Sequence, residues 1–277
     1  MRADLGTRTL IMGIVNVTPD SFYDGGKYRD HAAAVSHAVD MVDAGADIID
    51  IGGESSRPGA RPVSSHEECD RVCPVIEALR NRVTVPISVD TYKAEVARAA
   101  ISAGASMIND ISGLRSDPSI ASIAADAGAY LVLMHMRGTP ATMQHNTHYD
   151  DLIAEIAESL AESARIAQEH GVAREKIIVD PGIGFGKTLD DNYKLINNIA
   201  YFRRLGYPVL IGLSRKSLIG GLLKDGEDRL PGTIALNSMA AYFRADIVRV
   251  HDVREHRLAL RMIDHARSLA ASDDAAR

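Results

Sequence analysis

The chain has 277 residues, 46% of them apolar, with a formal charge of −6 at pH 7. That length suits one large α/β domain with a sizeable core. The mild acidic excess argues against non-specific binding to nucleic acid or to a membrane surface, both of which select basic proteins. No apolar run reaches the roughly 18 residues that span a bilayer.

The first apolar run, Leu10–Val15, stops at Asn16 and releases the polar, aromatic segment "VTPDSFYDGGKY". Further runs follow at Ile48–Ile51, Pro86–Val89, Met107–Asn109, Tyr130–Met134, Ile177–Val179, Val209–Leu213 and Ile247–Val250. Most are continuously apolar, the pattern of strands buried on both faces. Between them lie amphipathic stretches such as "HAAAVSHAVDMVDAG" and "SHEECDRVCPVIEALRN". Pro74 is expected to kink or restart the second of these.

Eight strand-like runs alternate with eight helical stretches, without a linker or a compositional break. Such alternation predicts a parallel sheet, and eight units predict a closed (β/α)8 TIM barrel as a single domain. An open doubly wound sheet is the alternative. The tail from residue 271 to 277 is expected to fray. No signal peptide is visible. Cys69 and Cys73 are expected to be small buried side chains, not a disulfide or a zinc site.

Every predicted strand ends in polar or ionisable residues: Asn16, Asp50, Asp90, Asn109–Asp110, His135, Asp180, Ser214–Arg215–Lys216, and Arg249 with His251. In a parallel barrel those ends share one face, which is where barrel enzymes keep their active sites. Asp and Asn also serve as ordinary helix caps after strands. Asp50 and Asp110 are the two best read as structural. Asp90 and Asp180 are expected to be buried carboxylates whose donors come from a ligand.

Three groups with strong acceptors, Asp90, Asn109 and Asp180, arise on the third, fourth and sixth strands. Carboxylates pair well with adjacent N–H donors such as an aminopyrimidinone edge offers, and an amide matches both a donor and an acceptor. The basic residues Arg57, Arg215, Lys216, Arg249 and His251 suit phosphate. The predicted mouth is therefore negative on one wall and positive on the other, shaped for a nitrogen-rich ring carrying a phosphate group.

Two motifs are set aside. "PGIGFGKT", Pro181 to Thr188, lacks the first glycine of a phosphate-binding P-loop. Its glycines are read instead as close-approach positions, with Phe185 as an apolar lid. "HNTH", His145 to His148, is read as a polar loop.

The blocks "MGIVNVTPDSFYDGG", "IIDIGGESSRPGA", "PISVDTYK", "GASMINDISG", "LMHM", "IIVDPGIGFGKT", "SRKSLIG" and "DIVRVHDV" occur in this order. Together, from Leu10 to Asp264, the sequence resembles dihydropteroate synthase of the folate pathway. The resemblance implies condensation of 7,8-dihydropterin-6-ylmethyl diphosphate with 4-aminobenzoate, with release of pyrophosphate. It also implies Mg2+ as cofactor, a homodimer in the cytoplasm, and sulfonamides as inhibitors. By the same resemblance, Asp90, Asn109, Asp180 and Lys216 hold the pterin. Ser56, Arg249 and His251 contact the pterin diphosphate, and Asn16 stands at the metal position. Asp90, Asp180, Lys216, Arg249 and His251 carry the catalytic roles.

Phe22, Arg57, Pro58, Phe185 and Ser217 fall where the 4-aminobenzoate pocket is expected. Leu218 departs from a frequent Phe, which bears on packing near that pocket. The segment from 17 to 28 resembles a lid. Two alternatives share the pterin end: a catalytically silent pterin-binding paralogue, and a methyltetrahydrofolate-type methyltransferase that has no need of "SRKS" and "RVH".

Overall fold

The computed structural model describes residues 5–18, 27–56 and 59–275. Eight strands, β1 (Leu10–Asn16), β2 (Ile48–Gly52), β3 (Ile87–Asp90), β4 (Met107–Asp110), β5 (Tyr130–Met134), β6 (Ile177–Asp180), β7 (Leu210–Gly212) and β8 (Ile247–Val250), form one sheet. Each neighbour pairs in parallel, in the order 6-5-4-3-2-1-8-7. The two ends of the sheet meet where Val179 bridges Val209 and the Val179 amide donates to the Pro208 carbonyl at 2.9 Å. This contact makes the sheet a barrel and removes the open-sheet alternative.

Residues of one strand alternate between the barrel interior and the surrounding helices. Leu10, Met12, Ile48, Met107, Val132, Ile178, Leu210 and Ile247 form one buried cluster, the plug of the barrel. Their chain neighbours, Ile11, Ile49, Ile108, Leu131, Ile177, Ile211 and Val248 among them, belong to the larger core under the helices. Both faces of most strands are thus apolar, which is why the runs read as continuous; β3 is the exception, with Ser88 at its inward position. Fully burying each such side chain stabilises the fold by about 1.5–3 kcal/mol.

The outer layer comprises α1 (Lys27–Asp43), α2 (Ser65–Leu79), α3 (Ala94–Ala103), α4 (Ser119–Ala127), α5 (Leu152–Glu169), α6 (Leu189–Asn197), α7 (Ile199–Arg203), α8 (Ser217–Gly220), α9 (Leu230–Tyr242) and α10 (Val253–Ala275). The eight expected helical stretches become ten described helices. Asn198 leaves helical geometry and separates α6 from α7, and the short α8 precedes α9 in the β7–β8 connection. Pro74 starts no new helix, because α2 spans it without interruption. Ser64 caps α2 by accepting the Glu67 amide at 3.2 Å, and Thr188 and Asp191 form a capping box on α6. Residues 271–275, expected to fray, are the end of α10. Cys69 and Cys73 are free and half-buried, less enclosed than expected.

Candidate active site

The inward alternation that builds the plug continues to the C-terminal ends of the strands. Residues 50, 90, 109, 180 and 249 are each two residues beyond an inward position of the plug or of its register neighbour. Asp50, Asp90, Asn109, Asp180 and Arg249 therefore form the polar layer above an apolar floor. Asp50 and Asp180 are buried, as is Asn109.

The Arg249 guanidinium organises this layer. Its Nε donates to Asp50 Oδ2 at 2.6 Å, and its Nη2 donates to Asp90 Oδ2 at 2.6 Å. Asn109 Nδ2 donates to the same Asp50 oxygen at 3.0 Å. Asp50, expected to be purely structural, is thus the hub that joins Arg249 to Asn109. Asp110, on the outward phase, is structural as expected. Its carboxylate accepts the Ser112 amide at 2.7 Å and the Leu114 amide at 2.6 Å.

Burial raises the pKa of Asp90 to about 7 against the opposing charge of Arg249, with the Asp50 charge adding to the rise. Burial also raises Asp180, against Lys216 and the Gly182 amide that donates to its Oδ1 at 2.7 Å. Two carboxylates held above their ordinary range are short of donors, and a ligand bringing paired N–H groups would relieve both.

Lys216 precedes α8. Its Nζ donates to the Ile183 carbonyl and lies 4.3 Å from the centre of the Phe185 ring, a cation–π contact. Burial lowers its pKa to about 8, against the charges of Asp180 and Asp90. Gly184 makes room for it: with φ at +85°, a Cβ there would lie 2.9 Å from Lys216 Cδ. Phe185 is not the expected lid but a buried wall, clustered with Ile111, Met134, Met136 and Met143.

The expected positive wall is not separate from the negative one among the described residues. Arg249 is bound to two carboxylates. Arg215 is exposed, and its Nε donates to Asp252 Oδ2 at 3.0 Å. His251 Nδ1 meets Ser214 Oγ at 3.0 Å. Asn16 ends β1 opposite Gly52. A Cβ on Gly52 would sit 3.7 Å from Asp90 Oδ2 and 3.9 Å from Asn16 Oδ1, so this glycine keeps the space between the two open.

Ser56 is half-buried and lines a recess with Ser55, Asp90, Tyr92 and Ile111. Ser217 is exposed at the start of α8, and Leu218 is buried in the core behind it. Phe22, Arg57 and Pro58, with most of the segment 17–28, lie outside the described residues. Among the described residues, no group of three or more His, Cys, Asp or Glu is placed to hold a metal ion. No described helix is long and apolar enough to cross a membrane.

His135 leaves the mouth altogether. It follows β5 on the outward phase, and its Nδ1 meets the Nζ of buried Lys187 at 3.1 Å. Lys187 also donates to the Phe185 carbonyl at 2.8 Å. The sequence places His135 among the strand ends of the mouth, while Lys187 stands only as part of the rejected P-loop. Its one signal is a lysine inside a glycine-rich turn.

The model of the pterin binding enzyme family matches residues 12–251. A dihydropteroate synthase from Bacillus subtilis is 51% identical over 258 residues, covering 93% of this chain and 88% of the relative. A Clostridium difficile dihydropteroate synthase crystallised with pteroic acid superposes with a TM-score of 0.89 at 47% identity, covering 95% of this chain and 98% of that one. A Yersinia pestis dihydropteroate synthase in complex with a sulfonamide drug gives a TM-score of 0.89 at 45% identity, covering 95% of each chain. The chain belongs to the pterin binding enzyme family, among the dihydropteroate synthases.

Proposed function

We propose that the protein joins 7,8-dihydropterin-6-ylmethyl diphosphate to 4-aminobenzoate, forming a C–N bond and releasing pyrophosphate. The observation that carries this reading is the inward set Asp90, Asn109 and Asp180, whose two carboxylates are both raised by burial. Each carboxylate would accept N–H groups of the pterin edge, and the Asn109 amide would match a mixed donor–acceptor edge.

In this reading the C–O bond to the diphosphate breaks first, its electron pair leaving with pyrophosphate; the aromatic amine then attacks the pterin methylene and gives up one N–H proton to water. Asp90 and Asp180 steady the positive charge that develops on the ring, through fixed electrostatics. Lys216, pinned between the Ile183 carbonyl and the Phe185 ring, orients the second substrate. Arg249 and His251 face the departing diphosphate, and Ser56 contributes a hydroxyl. Arg249 must then divide its donors between carboxylates and phosphate. Phe22, Arg57, Pro58, Phe185 and Ser217 would enclose the aminobenzoate.

Mg2+ binds few protein oxygens when substrate phosphates and water complete its shell. The single amide oxygen of Asn16, beside the open space at Gly52, fits a metal that arrives with the diphosphate. Bound there, it would neutralise charge on the phosphates.

A homodimer is part of the proposal. Met239 and Tyr242 on α9 and Leu258 and Met262 on α10 are exposed apolar residues on two helices that pack together. A cytoplasmic location agrees with two unpaired thiols.

The deciding assay follows pyrophosphate release with both substrates and Mg2+. Release that requires 4-aminobenzoate supports the proposal. Pterin binding without release would make the chain a binding module instead.

A further inference from the structure

The connection between β2 and α2 carries Ser55 and Ser56 to the recess beside Asp90. One ammonium group ties the ends of the connection together. Lys93 Nζ donates to Glu54 at the start of the connection, to the Val63 carbonyl at its end at 2.6 Å, and to Glu68 Oε2 on α2 at 2.6 Å. Tyr92 adds a second tie, its hydroxyl donating to Glu54 Oε1 at 2.6 Å.

The three charged groups are well shielded from solvent. The side chains of Lys93, Glu54 and Glu68 are 17%, 10% and 1% exposed. Burial opposes the charge on Lys93, but hydrogen bonds to Glu54 and Glu68 outweigh it and hold the pKa above its ordinary value. Burial raises Glu68, and Lys93 opposes that rise. An ammonium with three acceptors on three different stretches of chain is a cross-link, not a surface ion pair.

We propose that Lys93 is a positioning residue that clasps both ends of the β2–α2 connection and so fixes Ser55 and Ser56 against Asp90. It rests on the reading of Ser56 as a contact of the pterin diphosphate. Lys93 does not line the recess itself: its Nζ donates to Glu54, Val63 and Glu68 and lies over the Tyr92 ring. The clasp should matter for the diphosphate end and not for the pterin ring, which Asp90, Asn109 and Asp180 hold.

The test compares the full-length protein with Lys93→Met. Removing Lys93 takes the cation from both Glu54, which keeps the Tyr92 hydroxyl, and the more deeply buried Glu68, so the double variant Lys93→Met with Glu68→Gln accompanies it to separate loop release from loss of the fold. In both, hydrogen exchange across residues 54–63 should accelerate. The KM for the pterin diphosphate should rise on the order of tenfold, as displaced contacts do. The Kd for the corresponding pterin alcohol, which lacks the diphosphate, should stay within about twofold by the same argument. Lys93→Arg, which keeps the charge and donors, should recover part of the loss. Unchanged exchange across 54–63 would overturn the clasp. Accelerated exchange with an unchanged KM would overturn the positioning role. An equal loss for diphosphate and alcohol would reduce Lys93 to a general structural part. The site reading fails by a different signature: wild-type protein that binds neither pterin.

Discussion

Arg249 Nη2 donates to Asp90 Oδ2 at 2.6 Å, joining two residues that the sequence placed on opposite walls of the mouth. The same guanidinium reaches Asp50, so the site in this state is a closed network of one cation and two carboxylates. The guanidinium's donors are already engaged by both carboxylates within the protein. A diphosphate arriving at Arg249 competes with Asp50 and Asp90, while a pterin arriving at Asp90 releases part of Arg249. The two halves of one substrate should therefore assist each other's binding. Asp50→Asn tests the hub. It removes a charge that holds Arg249 in the interior, without removing any proposed contact to the pterin. We expect kcat/KM for the pterin diphosphate to fall by about tenfold to a hundredfold, the scale of a lost charge-assisted contact of ~1.5–3 kcal/mol. Steady-state kinetics checks this, and an unchanged kcat/KM would show that Asp50 is merely structural.

The raised pKa of Asp90 gives binding a pH dependence. Burial puts this carboxyl at about 7 in the unliganded protein. Accepting N–H donors favours the ionised form, so the bound pKa must be lower than the free one. Between those two values binding releases a proton, and affinity weakens as pH falls below about 7, by up to tenfold per unit. Titrating pterin binding between about pH 5.5 and 8.5 should show that decline in the wild type. Asp90→Asn should bind more weakly and lose the step. A decline that survives in Asp90→Asn would assign it to another group.

Two glycines of the β6–α6 connection should respond differently to the same substitution. Gly182 has φ at +72°, and a Cβ there would lie 1.8 Å from the His135 carbonyl oxygen, a backbone atom. Gly184 has φ at +85°, but its added Cβ meets the flexible side chain of Lys216. Left-handed geometry costs an alanine about 1–2 kcal/mol at either position. Gly182→Ala should therefore be destabilised far more, or fail to fold, because the strand end at β5 would have to move. Gly184→Ala should fold and instead displace Lys216 from the Ile183 carbonyl, lowering kcat by about tenfold or more. Thermal melts and kinetics on the two variants check the contrast. Equal stabilities would contradict it.

The strands were legible because apolar runs buried on both faces leave few alternatives. Tyr130–Met134 and Ile247–Val250 match the structure residue for residue. The polar strand ends were legible as a face but not as a site. Continuous apolar runs hide the two-residue alternation that decides which end residue points inward. That phase separates Asp50 from Asp110, and Asp90 and Asn109 from His135, and it becomes readable only once Ile48 and Met107 are known to point inward. What no count reveals is pairing across the chain. Lys93 with Glu54 and Glu68, and Arg249 with Asp50, meet only because the barrel closes.

The buried His135–Lys187 pair should set part of the acid limit of stability. His135 is held neutral in the fold, its pKa lowered to about 2, chiefly by burial and then by the charge of Lys187. Unfolded, it takes up a proton near its ordinary value of 6.5. Below that value the unfolded state binds more protons than the folded state. Stability from this residue is therefore complete above 6.5 and is lost as pH falls towards 2, at about 1.4 kcal/mol per unit. At pH 4.5 the loss is on the order of 3 kcal/mol. His135→Gln keeps an acceptor for the Lys187 amine but cannot take up the proton. Urea unfolding at neutral pH and at about pH 4.5 should show a smaller drop in the variant than in the wild type, by roughly that amount. Parallel drops would mean that His135 is solvated enough to charge without opening the fold, and that Lys187 does not depend on it.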